Sequence, residues 1–143
     1  MPTLLDSAGI DIPEHMQGRS VVPLLNGKKE DWPEEVFVQI SEAQVGRAIR
    51  TQRWKYSVHA PNKHPIKDSG SERYEEQFLY DLYADPYELT NLIGMESHRL
   101  VADQLKERLV RRMTEAGEAA PVIEPAPPKA SGQRKVYENE YRQ

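Results

Sequence analysis

Gly46-Arg47-Ala48-Ile49-Arg50-Thr51-Gln52-Arg53-Trp54-Lys55-Tyr56-Ser57-Val58 is the stretch on which the fold class turns. Gly46 opens a strand through Arg47-Ala48-Ile49-Arg50-Thr51, and Gln52-Arg53 is short enough for a tight turn into the next strand. There Trp54, Tyr56 and Val58 alternate with Lys55 and Ser57, the pattern of a half-buried strand. Upstream, Val36, Val38 and Ile40 share one face of Val36-Phe37-Val38-Gln39-Ile40, and Ser41 to Val45 form a polar connection. Downstream, Ala60 to Tyr74 is a long polar insertion, and Gln77-Phe78-Leu79-Tyr80-Asp81-Leu82 reads as a fourth strand. The sum is an antiparallel meander of about four strands, enough for a sheet with one buried face.

A cover for that face lies further along. From about Glu96 to Ala116, Val101, Leu105, Leu109 and Met113 recur every four residues, flanked by Leu100 and Val110. This makes a continuous apolar helical stripe that packs across the sheet. Arg111 and Arg112 suit the negative end of that helix, and Gly117 ends it. Between sheet and helix, Asp85-Pro86-Tyr87-Glu88 has the makings of a capping box for a brief helical turn anchored by Leu89 and Leu92. At the amino terminus, Pro2, Leu4, Leu5, Ala8 and Gly9 define a two-turn helix that needs a surface to dock on. The fold class expected is α+β. Its divisions are an arm and polar loop over 1–31, the sheet-and-helix body over 32–117, and an extended tail over 118–143. The tail carries Pro121, Pro125, Pro127 and Pro128 and has few apolar groups beyond Val122, Ile123, Val136, Tyr137 and Tyr141. Such a segment orders only along another surface.

Composition excludes several classes. The 143 residues carry a formal charge of −4, with a pI near 5.6 and a mean hydropathy of −0.76. That balance argues against a dedicated nucleic-acid binder. No run approaches the ~20 apolar residues of a membrane span. Met1 to Asp6 lacks the basic start and apolar stretch of a secretory signal, so the sequence assigns no compartment. Without cysteine there is no disulfide, thiolate nucleophile or cysteine metal site.

The residue patterns hold little catalytic chemistry. His15, His59, His64 and His98 form no pair at helical spacing, so the expectation is no metal site and no cofactor in this chain. There is no glycine-rich phosphate loop and no Gly-x-Ser-x-Gly elbow. Asp81, Asp85 and Glu88 read as turn and cap residues. Arg47, Arg50, Arg53 and Lys55 form a candidate anion-facing strip across two strands, the alternative being ordinary sheet-surface cations. No catalytic residue is assigned.

Three passages resemble the sulfatase family. Pro2-Thr3-Leu4-Leu5-Asp6-Ser7-Ala8-Gly9-Ile10 with Met16-Gln17-Gly18-Arg19-Ser20-Val21-Val22-Pro23-Leu24-Leu25 is the first. Gly46 to Tyr56 is similar to the strand pair RAVRTxRYKY, and Leu79 to Leu92 resembles LYDLxxDPxExxNL. They occur in family order and span roughly Pro2 to Gly117.

The resemblance implies the carboxyl-terminal part of an arylsulfatase-like enzyme of the alkaline-phosphatase-like superfamily. In such enzymes a large α/β domain carries a formylglycine nucleophile, made from the Cys or Ser of a Cys/Ser-x-Pro-x-Arg motif, beside a calcium ion. The smaller part is a four-stranded antiparallel sheet with a long helix. This sequence has neither the motif nor the Asp-rich segments upstream, so no nucleophile or metal ligand carries over. The expectation is a sulfatase subdomain on its own, a cut piece or truncated gene product that is inactive alone. Its expected partner is a sulfatase catalytic domain, or a second copy through residues 1–25. Gln39, Ser41, Glu42, Gln44 and Arg47 are the candidates for a substrate-cleft segment, since loops carry specificity. The rival reading is a free-standing protein-interaction module.

Overall fold

The computed structural model describes residues 1–16, 18–28 and 32–130. Gln17, the end of the polar loop before Trp32, and Val136, Tyr137 and Tyr141 of the tail lie outside the described residues. Two compact units are present, Met1–Pro33 and Glu34–Gln143.

The first unit holds two short helices, α1 (Pro2–Ser7) and α2 (Val22–Leu25), each with a proline in its first turn. Neither buries a residue. Polar contacts join the two segments: Ser20 Oγ donates to Asp6 at 2.5 Å, and the Val21 amide donates to Thr3 Oγ1 at 3.2 Å. Leu4, Ile10 and Leu25 remain exposed.

The second unit is the α+β body. Its strands are β1 (Glu35–Ile40), β2 (Gly46–Thr51), β3 (Trp54–His59), β4 (Arg73–Asp81) and β5 (Val122–Glu124), in sheet order β1-β2-β3-β4-β5. The first four form the expected antiparallel meander, because β-branched and aromatic residues alternate and the first two connections are short, the third being the polar insertion over residues 60–72. A 3₁₀ turn (Glu96–His98) leads into α3 (Arg99–Glu115). Ala102, Leu105, Leu109 and Met113 are buried on α3, against a sheet face carrying Ile49, Tyr56, Val58 and Leu79. Val101 is only half-buried at the margin of that cluster.

Three sequence expectations are corrected. The polar insertion is shorter than anticipated, since β4 begins at Arg73 and Tyr74 is fully buried. No helical turn forms after Asp85. The Asp85 carboxylate accepts the Thr90 amide at 2.7 Å, and Asn91 bonds the Leu79 amide and the Gln77 carbonyl, so side chains bind this backbone in an irregular conformation. The tail supplies a fifth strand, paired parallel to β4 in the register Arg73↔Val122, Tyr74↔Ile123 and Glu75↔Glu124. Ile123 enters the core, the Ala126 amide donates to Glu76, and the Lys129 amide donates to Gly94 at 2.8 Å. Gly94 is required there, because its φ is +83° and a Cβ would stand 2.5 Å from the Pro127 carbonyl.

Candidate functional site

The cleft-candidate segment folds as the end of β1, a tight loop and the start of β2. Gln39 and Arg47 face each other in register, and both reach Glu118, the residue after the Gly117 that ends α3. Gln39 Nε2 donates to Glu118 Oε1 at 3.0 Å and Arg47 Nε donates to the same oxygen at 2.8 Å. Gln44 points elsewhere and exchanges amide hydrogen bonds with Gln77, each at 2.9 Å. Ser41 and Glu42 stay exposed in the loop, and Glu42 holds a φ of +68° while its amide donates to the Pro65 carbonyl. Non-glycine residues rarely hold that conformation, and it fixes how the loop projects. The five candidates therefore divide into a buried arginine, an exposed glutamine that meets the same carboxylate, a paired amide and two exposed loop residues.

The candidate anion strip is broken up by carboxylates. Arg47 pairs with Glu118, Arg53 with Asp81 at 2.7 Å and Lys55 with Glu88 at 2.6 Å. Arg53 lies in the β2–β3 turn and stacks over Trp54 rather than extending a strand row. Its hydrogen bonds hold the Asp81 carboxyl below the usual carboxylate range, the Tyr83 amide adding to the effect.

Opposite α3 the sheet presents a second face that the sequence reading did not single out. Cross-strand register places Val36 with Arg50, Lys55 and Tyr80, and Val38 with Ala48, Ser57 and Phe78. Val36 is 60% exposed, Val38 41% and Phe78 37%. Phe78 stacks on Tyr80 with ring centroids 5.7 Å apart. Tyr87 and Leu89 stand out on the nearby loop, which the Lys55–Glu88 pair ties to this face. In the middle of the face Ser57 Oγ is buried without a hydrogen-bond partner. Phe37, between Val36 and Val38, packs on the α3-facing core. β1 is thus apolar on both sides, a signal that was available in its sequence.

Calcium and formylglycine are the groups that the resembled family implies. Among the described residues no three His, Asp or Glu side chains are grouped to hold a metal ion. The chain also contains no cysteine and no Ser-x-Pro-x-Arg. No step through either group is derived. Among the described residues no helix is long and apolar enough to cross a membrane.

A meandering sheet covered on one face by a single long helix defines the structural class as an α+β sheet-and-helix subdomain. Residues 1–115 match the family model described as N-sulphoglucosamine sulphohydrolase, C-terminal. The chain belongs to this sulfatase carboxyl-terminal family. It is 32% identical over 114 residues to an arylsulfatase of Clostridium perfringens, covering 79% of this chain and 21% of that protein. It is 36% identical over 120 residues to a choline-sulfatase of Rhizobium meliloti, covering 80% and 20%. A solved structure in complex with its substrate D-glucosamine-2-N,6-O-disulfate has the same fold, with a TM-score of 0.68 at 24% identity over 84% of this chain and 24% of that one. The chain thus spans about a fifth of the length of these curated relatives.

Proposed function

We propose that this chain serves as the carboxyl-terminal subdomain of a sulfatase, packing on a catalytic domain and helping to wall its substrate cleft without itself carrying the chemistry. The observation that carries the reading is the apolar sheet face opposite α3, with Val36, Val38 and Phe78 exposed and Tyr80 half-buried beside them. A contiguous apolar surface of this kind marks an interface. The matched relatives have about four-fifths of their length beyond the region shared with this chain, which supports a large domain as the occupant. The strained loop at Glu42, with Ser41 beside it, is the segment available to border the cleft.

A chimera tests this. The Clostridium perfringens arylsulfatase with its matching carboxyl-terminal fifth replaced by this chain should be soluble and hydrolyse an aryl sulfate, whereas this chain alone with calcium should show no turnover. Val36→Lys with Val38→Lys should abolish the chimera's activity or solubility and leave the isolated chain's unfolding free energy in urea within ~0.5 kcal/mol of the parent. Turnover by the isolated chain, or an indifferent chimera, would sink the proposal. A second reading, self-association through residues 1–25, is favoured by the exposed Leu4, Ile10 and Leu25 of the first unit.

A further inference from the structure

The arginine–carboxylate pairs of the sheet are not alike. Arg53 grips Asp81 through Nε and Nη2, and Arg99 grips Glu76 through Nη1 and Nη2. Such two-pronged pairs are the strong ones. Arg47 meets Glu118 through Nε alone, while its Nη1 and Nη2 donate to the Gly46 and Ser69 carbonyls, both at 2.7 Å. Glu118 Oε1 takes both the Arg47 and the Gln39 hydrogen bonds. Among the described residues Oε2 accepts none. Glu118 borders an open groove of about 1040 Å³.

We propose that Arg47 Nε and Gln39 Nε2 form a seat for a small oxyanion, and that Glu118 is its exchangeable internal occupant. Three observations carry this. The Arg47 side chain is only 3% exposed, so its charge needs an anion beside it, and two backbone carbonyls do not supply one. The carboxylate that answers is held by one oxygen and lines an open groove, which a carboxylate or sulfate from solution can enter, with Arg47 and Gln39 behind it and outside the groove lining. The seat is also shaped by the backbone. A Cβ at Gly70 would come within 3.2 Å of Arg47 Nη2 and 3.6 Å of Glu118 Oε2, so glycine leaves room against both groups. Arg47 and Gln39 lie inside the region matched to the family and Glu118 lies just beyond it. Glu72, Glu75 and Glu124 outnumber Lys63 and Arg73 in the groove lining, so an anion gains from the seat itself and not from the field of the groove. The seat goes beyond the docking proposed above and does not depend on it.

The test uses the full-length chain with Glu118→Ala, followed through arginine side-chain NMR signals while sulfate replaces chloride at constant ionic strength. Glu118→Ala should show a saturable shift of the Arg47 Nε–H signal, with a dissociation constant at least about tenfold below that of the parent. Adding Gln39→Ala should weaken it, raising the dissociation constant at least about tenfold. A folded Glu118→Ala chain without a saturable shift would overturn the seat. Should that variant unfold, Glu118→Gln keeps the side chain's size without its charge. The rise of its melting midpoint from chloride to sulfate at matched ionic strength should then exceed the parent's, since sulfate stabilises both chains by exclusion, and an equal rise in the two would overturn the proposal.

Discussion

Arg99, in the first turn of α3, places Nη1 and Nη2 on the carboxylate of Glu76 in β4, at 2.8 and 2.5 Å. The Glu76 side chain is fully buried and also accepts the Tyr56 hydroxyl and the Ala126 amide. One carboxylate thus joins β3, β4, α3 and the tail. Burial by itself would push its pKa up, but the Arg99 hydrogen bonds, the Ala126 amide and the Tyr56 hydroxyl together hold it below the usual range.

A depressed folded-state value makes stability pH-dependent in a definite direction. The contribution of Glu76 is fully present above its unfolded value of about 4.3 and is lost as pH falls through the lower folded value. Asp103, desolvated but bonded by Arg99 and Lys106, is lowered too and adds in the same sense. Glu76→Gln should cost about 1–3 kcal/mol at pH 7, because a neutral amide replaces the buried carboxylate that holds the Arg99 fork, the Tyr56 hydroxyl and the Ala126 amide, while Asp103 still answers Arg99. Urea melts at pH 7 and at about pH 3 should show the gap between parent and variant narrowing in acid. A gap of constant size would refute the assignment.

Leu105 and Leu109 point from α3 into the core, while Leu100 of the same helix is 79% exposed. Leu105→Ala or Leu109→Ala should cost about 2–5 kcal/mol through lost burial and the cavity left behind. Leu100→Ala should stay within ~0.5 kcal/mol. Equal losses at Leu100 and Leu105, measured by denaturant melts, would mean that the helix is turned the wrong way.

Gly94→Ala should loosen the tail selectively. The new methyl would meet the Pro127 carbonyl, and the positive φ adds strain, for a loss of more than ~1 kcal/mol. Amide exchange at Lys129, whose N–H bonds Gly94, should speed up while the buried turns of α3 keep their protection. Unchanged exchange at Lys129 would contradict the close approach described here.

Self-association through the arm should depend on the exposed leucines of the first unit. Sedimentation of the full chain against a version starting at Lys28 should show the larger species only in the former. A dimer that survives removal of the arm would place the interface elsewhere.

The meander and α3 were legible because each carries a local period. Tyr56 and Val58 alternate with Lys55 and Ser57, and Leu105, Leu109 and Met113 follow the helical repeat. Alternation does not say which side of a strand is covered. Val36 and Val38 share a face as expected, yet Phe37 is the residue of β1 that packs on the core. Nor does a period reveal β5, whose three residues order because β4 offers an open edge and Glu76 an acceptor. Around the candidate site, Gln39 and Arg47 were named from the sequence, but nothing local marks Glu118. It reaches them only because α3 ends beside β1 and β2.

The parallel strand β5 also sets an order of events in folding. β1 to β4 join neighbour to neighbour along the chain, whereas Val122 pairs with Arg73, on the far side of α3 in sequence. Closing so large a loop costs entropy that three backbone pairs do not return until the meander and helix already hold Arg73 in place. β5 therefore adds to a finished scaffold as the last step of folding, and in unfolding it is the first element to leave.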